Sequence, residues 1–162
     1  MKYYIFDSKI ESEPISKLVE FINNTPDNIT IVFSSSGGHP ALGRVATFIL
    51  NNNKNRITLI AVNEISSAAF DIFYTFKGLK HLTKGCLGMY HFSSINVPFS
   101  ANGKPENDGK ATLEKATSDK NDTIKIAKII MTPKEFTQFK NNQCVFFPFS
   151  RMKQIFNTTK II

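Results

Sequence analysis

Apolar and polar positions along the first half of the chain alternate in blocks that predict strands and helices in turn. Short apolar runs typical of buried strands are each followed by a segment with apolar groups at the i, i+3, i+4 spacing of a helix face. The predicted strands are KYYIF (2–6), ITIVF (29–33), RITLIAV (56–62) and LTKGCLGMYHF (82–92). The predicted helices are residues 11–25, residues 41–53 and a third that starts at Ser66. This order predicts an α/β fold, with a mostly parallel sheet covered by helices.

The second half of the chain begins with a polar stretch, residues 96–123, which holds prolines, glycines and many small polar residues. We expect an exposed loop there, with at most a short helix around 110–118. The apolar run IKIAKIIM (124–131) then predicts another strand. TPKEFTQFKN (132–141) predicts a helix, with Thr132 as its cap and proline at its first position.

Length and composition indicate a single folded domain over residues 1–162, since the 162-residue chain is 41% apolar and 20% charged. No apolar run reaches the length of a membrane span, so no membrane association is expected. Asp7 interrupts the N-terminal apolar run before a signal-like core develops, which favours a cytoplasmic location. Cys86 and Cys144 lie in apolar contexts and are predicted to be buried free thiols.

The formal net charge of +7 is unevenly distributed. Residues 1–76 carry six Lys or Arg against seven Asp or Glu, and residues 77–162 carry fourteen against six. The lysines are scattered among polar residues and no nucleic-acid motif accompanies them, so we expect a solvated surface and no nucleic-acid partner. Three histidines and two cysteines show no ligand spacing, so neither a metal nor a cofactor is predicted.

Three features that carry chemistry follow predicted strands: the SSSGG turn after the second strand, Ser66 after the third, and His91 at the end of the fourth. Sites in open α/β sheets form at the carboxyl ends of strands. Ser66 alone would be a helix N-cap worth about 1 kcal/mol. Together with a histidine and the N–H groups of the Gly37–Gly38 turn, it supplies a nucleophile, a base and oxyanion donors.

These segments resemble the proteolytic subunit of the Clp protease, in the ClpP/crotonase superfamily. ITIVFSSSGGHPALGRVATFI resembles the family's strand, glycine turn and helix, AVNEISSAAF its nucleophile segment, and GMYHFS its histidine-bearing strand end. The separation of Ser66 and His91 matches the family without a gap. The resemblance covers residues 3–94 well and 124–157 loosely. It implies repeated β-β-α/βα units covered by helices.

The resemblance implies a serine endopeptidase that acts on peptides or unfolded proteins through an acyl-enzyme. Ser66 would attack the carbonyl carbon and His91 would accept and return the proton. The N–H groups of Gly38 and Ser67 would hold the oxyanion, and Gly37 would shape the turn. Ser67 is the second candidate nucleophile, because the two adjacent serines differ by only one position.

Several positions depart from the family pattern. Ala68 stands where the family has glycine, and Ser36 where it usually has proline. The family's third catalytic residue is an Asp, and residues 131–162 contain none. Asn141 or Asn142 could orient the imidazole through an amide oxygen; otherwise the site is a Ser-His dyad or is degenerate.

These departures leave two other functions open. One is a catalytically silent ClpP-like subunit with a scaffolding or regulatory role. The other is a crotonase-like acyl-CoA enzyme, which the Ser/His pair disfavours because such enzymes do not need it.

Assembly is the last expectation that follows from the resemblance. Clp subunits form seven-membered rings joined through a long handle helix. Pro98, Gly103, Pro105 and Gly109 are expected to break such a helix here. We therefore predict a homo-oligomer without the tight double ring. The resemblance also suggests an ATP-dependent unfoldase as partner, for which the sequence offers no independent support.

Overall fold

The structure is a computed structural model that describes residues 1–92, 107–156 and 160–161, without the side chains of 107–116, 119, 160 and 161. Backbone contacts divide the chain into two compact units. The first comprises Met1–Tyr90 and Phe146–Ile162, and the second comprises His91–Val145.

The described strands form one seven-stranded sheet. They are β1 (Lys2–Asp7), β2 (Ile29–Ser35), β3 (Ile57–Ser66), β4 (Leu79–Leu82), β5 (Leu87–Tyr90), β6 (Val145–Phe147) and β7 (Lys160–Ile161). The order is β1-β2-β3-β4-β7, with β5 pairing with β3 and β6. The pairs β1–β2, β2–β3, β3–β4, β3–β5 and β4–β7 are parallel. The prediction of an α/β fold with a mostly parallel sheet is confirmed.

The core of the first unit lies between this sheet and its helices. The helices are α1 (Ser12–Asn24), α2 (Pro40–Asn52), α3 (Ala68–Thr75) and α6 (Phe149–Ile155). Ile31 on β2 and Leu59 on β3 are fully buried, as is Ile22 of α1. Strands this apolar are expected in a sheet whose parallel pairs are covered by helices.

The helix α3 is anchored by an aromatic cluster. Its Phe70 ring lies 5.3 Å from that of Tyr90, 5.5 Å from Phe147 and 5.4 Å from Phe156, between centroids. Phe73 meets Phe156 edge-on at 5.0 Å. Aromatic pairs at these separations add stability beyond the area they bury. The cluster fixes α3 against β5 and β6, and so fixes the turn that precedes α3.

The second unit contains the helices α4 (Asn107–Ile130) and α5 (Pro133–Lys140). The α5 helix begins at the predicted cap: Thr132 accepts a hydrogen bond from the Glu135 N–H, and Glu135 accepts one from the Thr132 N–H. The Phe139 ring of α5 packs 4.1 Å from the Phe92 ring, and Lys120 of α4 places its Nζ 5.5 Å from the same Phe92 ring.

The predictions for residues 107–131 were wrong. A loop with a short helix and then a strand at 124–131 were expected, whereas α4 is one helix of 24 residues. Ala127 and Ile130 are buried three residues apart while Ile129 is 73% exposed, which is helical burial and not strand alternation. Gly109 lies inside this helix and does not end it. The remainder of the predicted loop, 96–106, lies outside the described residues.

Two boundaries and one thiol also differ from the predictions. The fourth predicted strand, 82–92, begins at the last residue of β4, which was not predicted, and continues through a turn in which Gly85 has a φ of +86° into the shorter β5. The third strand is longer than predicted and runs to Ser66, so the helix begins at Ala68. Cys86 is buried as expected, but Cys144 is exposed.

No helix in the described part of the chain is long and apolar enough to cross a membrane.

Candidate functional site

The turn between β3 and α3 has an unusual backbone conformation. Ser67 is its central residue and the N-cap of α3, with φ +54° and ψ −125°. A positive φ is uncommon for a residue that carries a Cβ, and such conformations cost about 1–3 kcal/mol and persist where the surrounding structure imposes them. Sharp, strained strand-to-helix turns of this kind display the nucleophilic serine of α/β-hydrolases.

Ser66 occupies the last position of β3, and its side chain is turned inward. The residue is fully buried, and its hydroxyl donates a hydrogen bond to Glu64 Oε1 at 2.5 Å. Residues two apart on a strand share one face of the sheet, which explains this pairing. The interpretation of Ser66 as a helix N-cap is wrong, because Ser67 is the N-cap and makes no side-chain capping bond.

Ser67 is partly exposed, and the glycine turn after β2 packs directly against it. Gly37 has a φ of +96°, and a Cβ placed on it would lie 2.7 Å from Ser67 Cβ, 2.7 Å from the Ser66 carbonyl oxygen and 3.3 Å from the Ala68 nitrogen. A side chain at Gly37 would therefore collide with the backbone of the serine turn. The absence of a side chain lets two polypeptide turns approach closely.

The glycine turn is held by hydrogen bonds to Ile10, in the loop before α1. The Ile10 N–H donates to the Gly37 carbonyl and the His39 N–H donates to the Ile10 carbonyl, both at 2.8 Å. The Gly37 N–H donates to the Ser35 hydroxyl at 3.1 Å. Ile10 and Gly38 thus form a parallel β-bridge whose hydrogen bonds are made by Gly37 and His39, the residues on either side of Gly38. The Gly38 N–H takes no part in this bridge.

The backbone N–H groups of the serine turn differ in their bonding. The Ser67 N–H donates to the Met89 carbonyl of β5 at 2.8 Å, and the Ser67 carbonyl accepts the Asp71 N–H at 3.2 Å. A substrate oxyanion at the Ser67 N–H would have to compete with the Met89 carbonyl. The next N–H along, that of Ala68, opens the helix, where the first N–H groups have no partner within the helix.

His91 and Asn141 belong to the second unit. His91 directly follows the last residue of β5. Asn141 is the exposed C-cap residue of α5, and Asn142 after it has a φ of +57°. The pairing of His91 with a serine, and of Asn141 with His91, stays a prediction.

Sequence reasoning missed two polar pairs near the serine turn. One is the Ser66–Glu64 bond; the other joins the Tyr90 hydroxyl to Asp71 Oδ1 at 2.6 Å. The strand alternation of Glu64 and Ser66 was a usable signal for the first. The second joins residues 19 apart in different elements, and no sequence spacing predicts it.

The Cys86 thiol is also close to Glu64, but it is not a candidate nucleophile. Burial, and secondarily the charge of Glu64, raises the pKa of Cys86 from 9.0 to about 12. Because the thiolate is the reactive form, this thiol is inert near neutral pH. Across residues 1–92, 107–156 and 160–161 no group of three His, Cys, Asp or Glu side chains could hold a metal ion.

The mostly parallel sheet and its helices form an α/β protein of the ClpP/crotonase fold, as a structural similarity shows. The fold is similar to that of a ClpP1 N165D mutant from Listeria monocytogenes, with a TM-score of 0.69 at 14% sequence identity, over 99% of this chain and 90% of that chain. No family model and no curated protein matches the sequence. The predicted ClpP-like fold is thus confirmed.

Proposed function

We propose that this protein is a serine peptidase that cleaves peptide bonds through an acyl-enzyme formed at the Ser66–Ser67 turn. The observation that carries the proposal is the strained backbone of Ser67, held at φ +54° with Gly37 packed against it. The strained backbone and the packing of Gly37 hold the Ser67 hydroxyl at the start of the buried helix α3, next to backbone N–H donors. The ClpP-like fold supports a peptidase over other hydrolases with such a turn.

The geometry supports Ser67 as the nucleophile over Ser66. The ungapped resemblance to the Clp family favours Ser66, but that hydroxyl is fully buried and donates to Glu64. Ser67 is partly exposed and has the strained backbone. An attacking hydroxyl needs both access to the substrate and a base to take its proton. The Ser66 hydroxyl donates its hydrogen bond to Glu64 and not to a histidine.

In the proposed reaction the Ser67 oxygen bonds to the substrate carbonyl carbon while His91 takes the hydroxyl proton. The oxyanion is held by the N–H groups of Ala68 and Gly38. His91 then protonates the departing amine, leaving an ester on Ser67. A water molecule, activated by the same imidazole, hydrolyses this ester and frees the acid. Asn141 is proposed to orient His91.

Fluorophosphonate labelling of matched alanine variants tests this proposal. We expect the wild type and Ser66→Ala to be labelled and Ser67→Ala to lose labelling. His91→Ala should label at least 100-fold more slowly, by roughly the contribution of a general base, whereas His81→Ala on β4 serves as the control that keeps the wild-type rate.

The reverse pattern, with labelling lost in Ser66→Ala and kept in Ser67→Ala, would return the nucleophile to Ser66. An unlabelled wild type would contradict the peptidase and favour the silent ClpP-like subunit, which the absence of an Asp from residues 131–162 also supports. Turnover of acyl-CoA thioesters without labelling would favour a crotonase-like enzyme.

A further inference from the structure

A hydrogen bond between a buried tyrosine and a half-buried aspartate connects β5 to the first turn of α3. Tyr90 is 1% exposed, and its hydroxyl donates to Asp71 Oδ1 at 2.6 Å. Tyr90 ends β5, whereas Asp71 is the fourth residue of α3. A hydrogen bond from a phenol to a carboxylate is among the stronger kinds in proteins.

The same two elements also hold the backbone of Ser67 from both sides. The Ser67 N–H donates to the carbonyl of Met89, which precedes Tyr90 on β5. The Ser67 carbonyl accepts a hydrogen bond from the Asp71 N–H, and the Asp71 carboxylate accepts one from the Tyr90 hydroxyl. Ser67, Asp71, Tyr90 and Met89 therefore form a closed circuit of three hydrogen bonds and one peptide link.

We propose that the Tyr90–Asp71 hydrogen bond is a positioning pair that keeps the Ser67 hydroxyl aimed for attack. The proposal rests on the proposed function. Ser67 adopts a conformation that a residue with a Cβ avoids, and such a conformation persists only where its surroundings over-determine it. Without the side-chain bond, β5 and α3 lose one of the links that hold them together near Ser67, and the turn can relax.

A purely structural role is the competing explanation, because a buried tyrosine hydroxyl usually finds a partner. The two explanations differ in what they do to the rate of acylation. Loss of a core hydrogen bond lowers the melting temperature and leaves the acylation rate of the folded enzyme unchanged. Loss of a positioning bond slows acylation of protein that is still fully folded, since small misplacements of a reacting group are costly.

The experiment measures second-order fluorophosphonate labelling rates at a temperature well below the melting temperature of every variant. We expect Tyr90→Phe to reach the wild-type final stoichiometry, but at a rate lower by about ten-fold or more. Asp71→Ala should be slowed similarly, and Asp71→Asn, whose amide oxygen still accepts a bond, should recover much of the rate. The double variant Tyr90→Phe/Asp71→Ala should be no slower than the slower single variant, because one shared bond is lost.

Tyr74→Phe is the matched control, since it removes a hydroxyl from the same helix outside the circuit. Wild-type labelling rates in Tyr90→Phe, or rate losses that multiply in the double variant, would overturn the positioning role while leaving the peptidase intact. If Tyr90→Phe does not fold, the comparison of Asp71→Asn with Asp71→Ala decides: equal rates overturn the proposal. An unlabelled wild type overturns the proposed function, and this inference with it.

Discussion

At the scale of single residues, the candidate site depends on a glycine without which the serine turn could not form. Gly37 combines a left-handed φ with a backbone approach too close for any Cβ. Gly85 has a similar φ of +86°, but among the described residues, its chain neighbours apart, no atom lies within 4 Å of the place where its Cβ would be. Substitutions at the two glycines therefore separate the free-energy cost of the left-handed conformation from that of the steric collision.

Gly37→Ala is predicted to destabilise the protein much more than Gly85→Ala. The Gly85 change should cost about 1–2 kcal/mol, the penalty for an L-residue in a left-handed conformation. The Gly37 change adds an overpacking cost of about 1–3 kcal/mol and should also abolish labelling. Urea denaturation measures both free energies of unfolding. Equal losses in the two variants would contradict the close packing of the two turns.

The reactivity of the two thiols is a second prediction at this scale. Native protein at pH 8 should take up one equivalent of iodoacetamide, at the exposed Cys144, and Cys144→Ser should take up none. The raised pKa of Cys86 also has a consequence for stability. Its proton is held more tightly in the folded state, so the stability it contributes is present below pH 9 and is lost as the pH rises towards 12. Alkylation of Cys86 in native protein at pH 8 would contradict its burial.

At the scale of elements, sequence patterns predicted what local physics controls. The strands β1 and β2, the helices α1 and α2, and the α5 helix with its Thr132 cap formed where hydrophobic period and capping residues placed them. The end of β3 and the α4 helix did not form where the sequence patterns placed them. Asn63, with a φ of +53°, lies within β3 and does not end it, and Ser66 is held in the strand by pairing with β5. The pairing of Ser66 with β5 is a long-range contact, which a local sequence pattern does not contain.

The capping box of α5 gives a prediction at the same scale. Thr132→Ala removes the side chain that accepts the Glu135 N–H and should cost about 1 kcal/mol. Thr137→Ala on the same helix is the control. Its hydroxyl bonds back to the Pro133 carbonyl at 3.0 Å, an arrangement that gives a helix little stability. Equal effects of the two substitutions on the free energy of unfolding would show that the box contributes nothing.

For the candidate site, the sequence identified the segments but not the roles within them. It placed Gly37, Gly38 and the two serines at strand ends because turn-forming residues and apolar runs are visible in the chain. It could not assign the nucleophile between adjacent serines, because exposure and backbone strain are properties of the folded turn. The Tyr90–Asp71 and Ser66–Glu64 bonds were missed for the same reason.

At the scale of the whole molecule, residues 107–123 do not interrupt a long helix as predicted, since α4 covers Asn107–Ile130. Pro98, Gly103 and Pro105 lie outside the described residues, so the absence of a tight double ring stays a prediction. The expectation of self-association does not depend on it. Exposed apolar side chains of the first unit include Tyr3, Ile5, Val45 and Phe48, which are between 49% and 72% exposed. Apolar surface of this kind is typical of protein contacts where it is contiguous.

We predict a homo-oligomer in solution, detected by sedimentation velocity at micromolar concentration. Phe48→Glu, on the exposed face of α2, should shift the distribution towards smaller species, whereas Asn52→Glu, at the exposed last residue of that helix, is the control that changes the net charge equally. A monomer at all concentrations would contradict self-association.

Mapping a covalent adduct shows whether the strained turn at Ser67 carries a nucleophile. Wild-type protein is reacted with a fluorophosphonate, digested and sequenced by tandem mass spectrometry. We predict a single phosphonylated residue, Ser67, and none when the protein is unfolded before labelling. An adduct on Ser66, or equal modification of folded and unfolded protein, would contradict it.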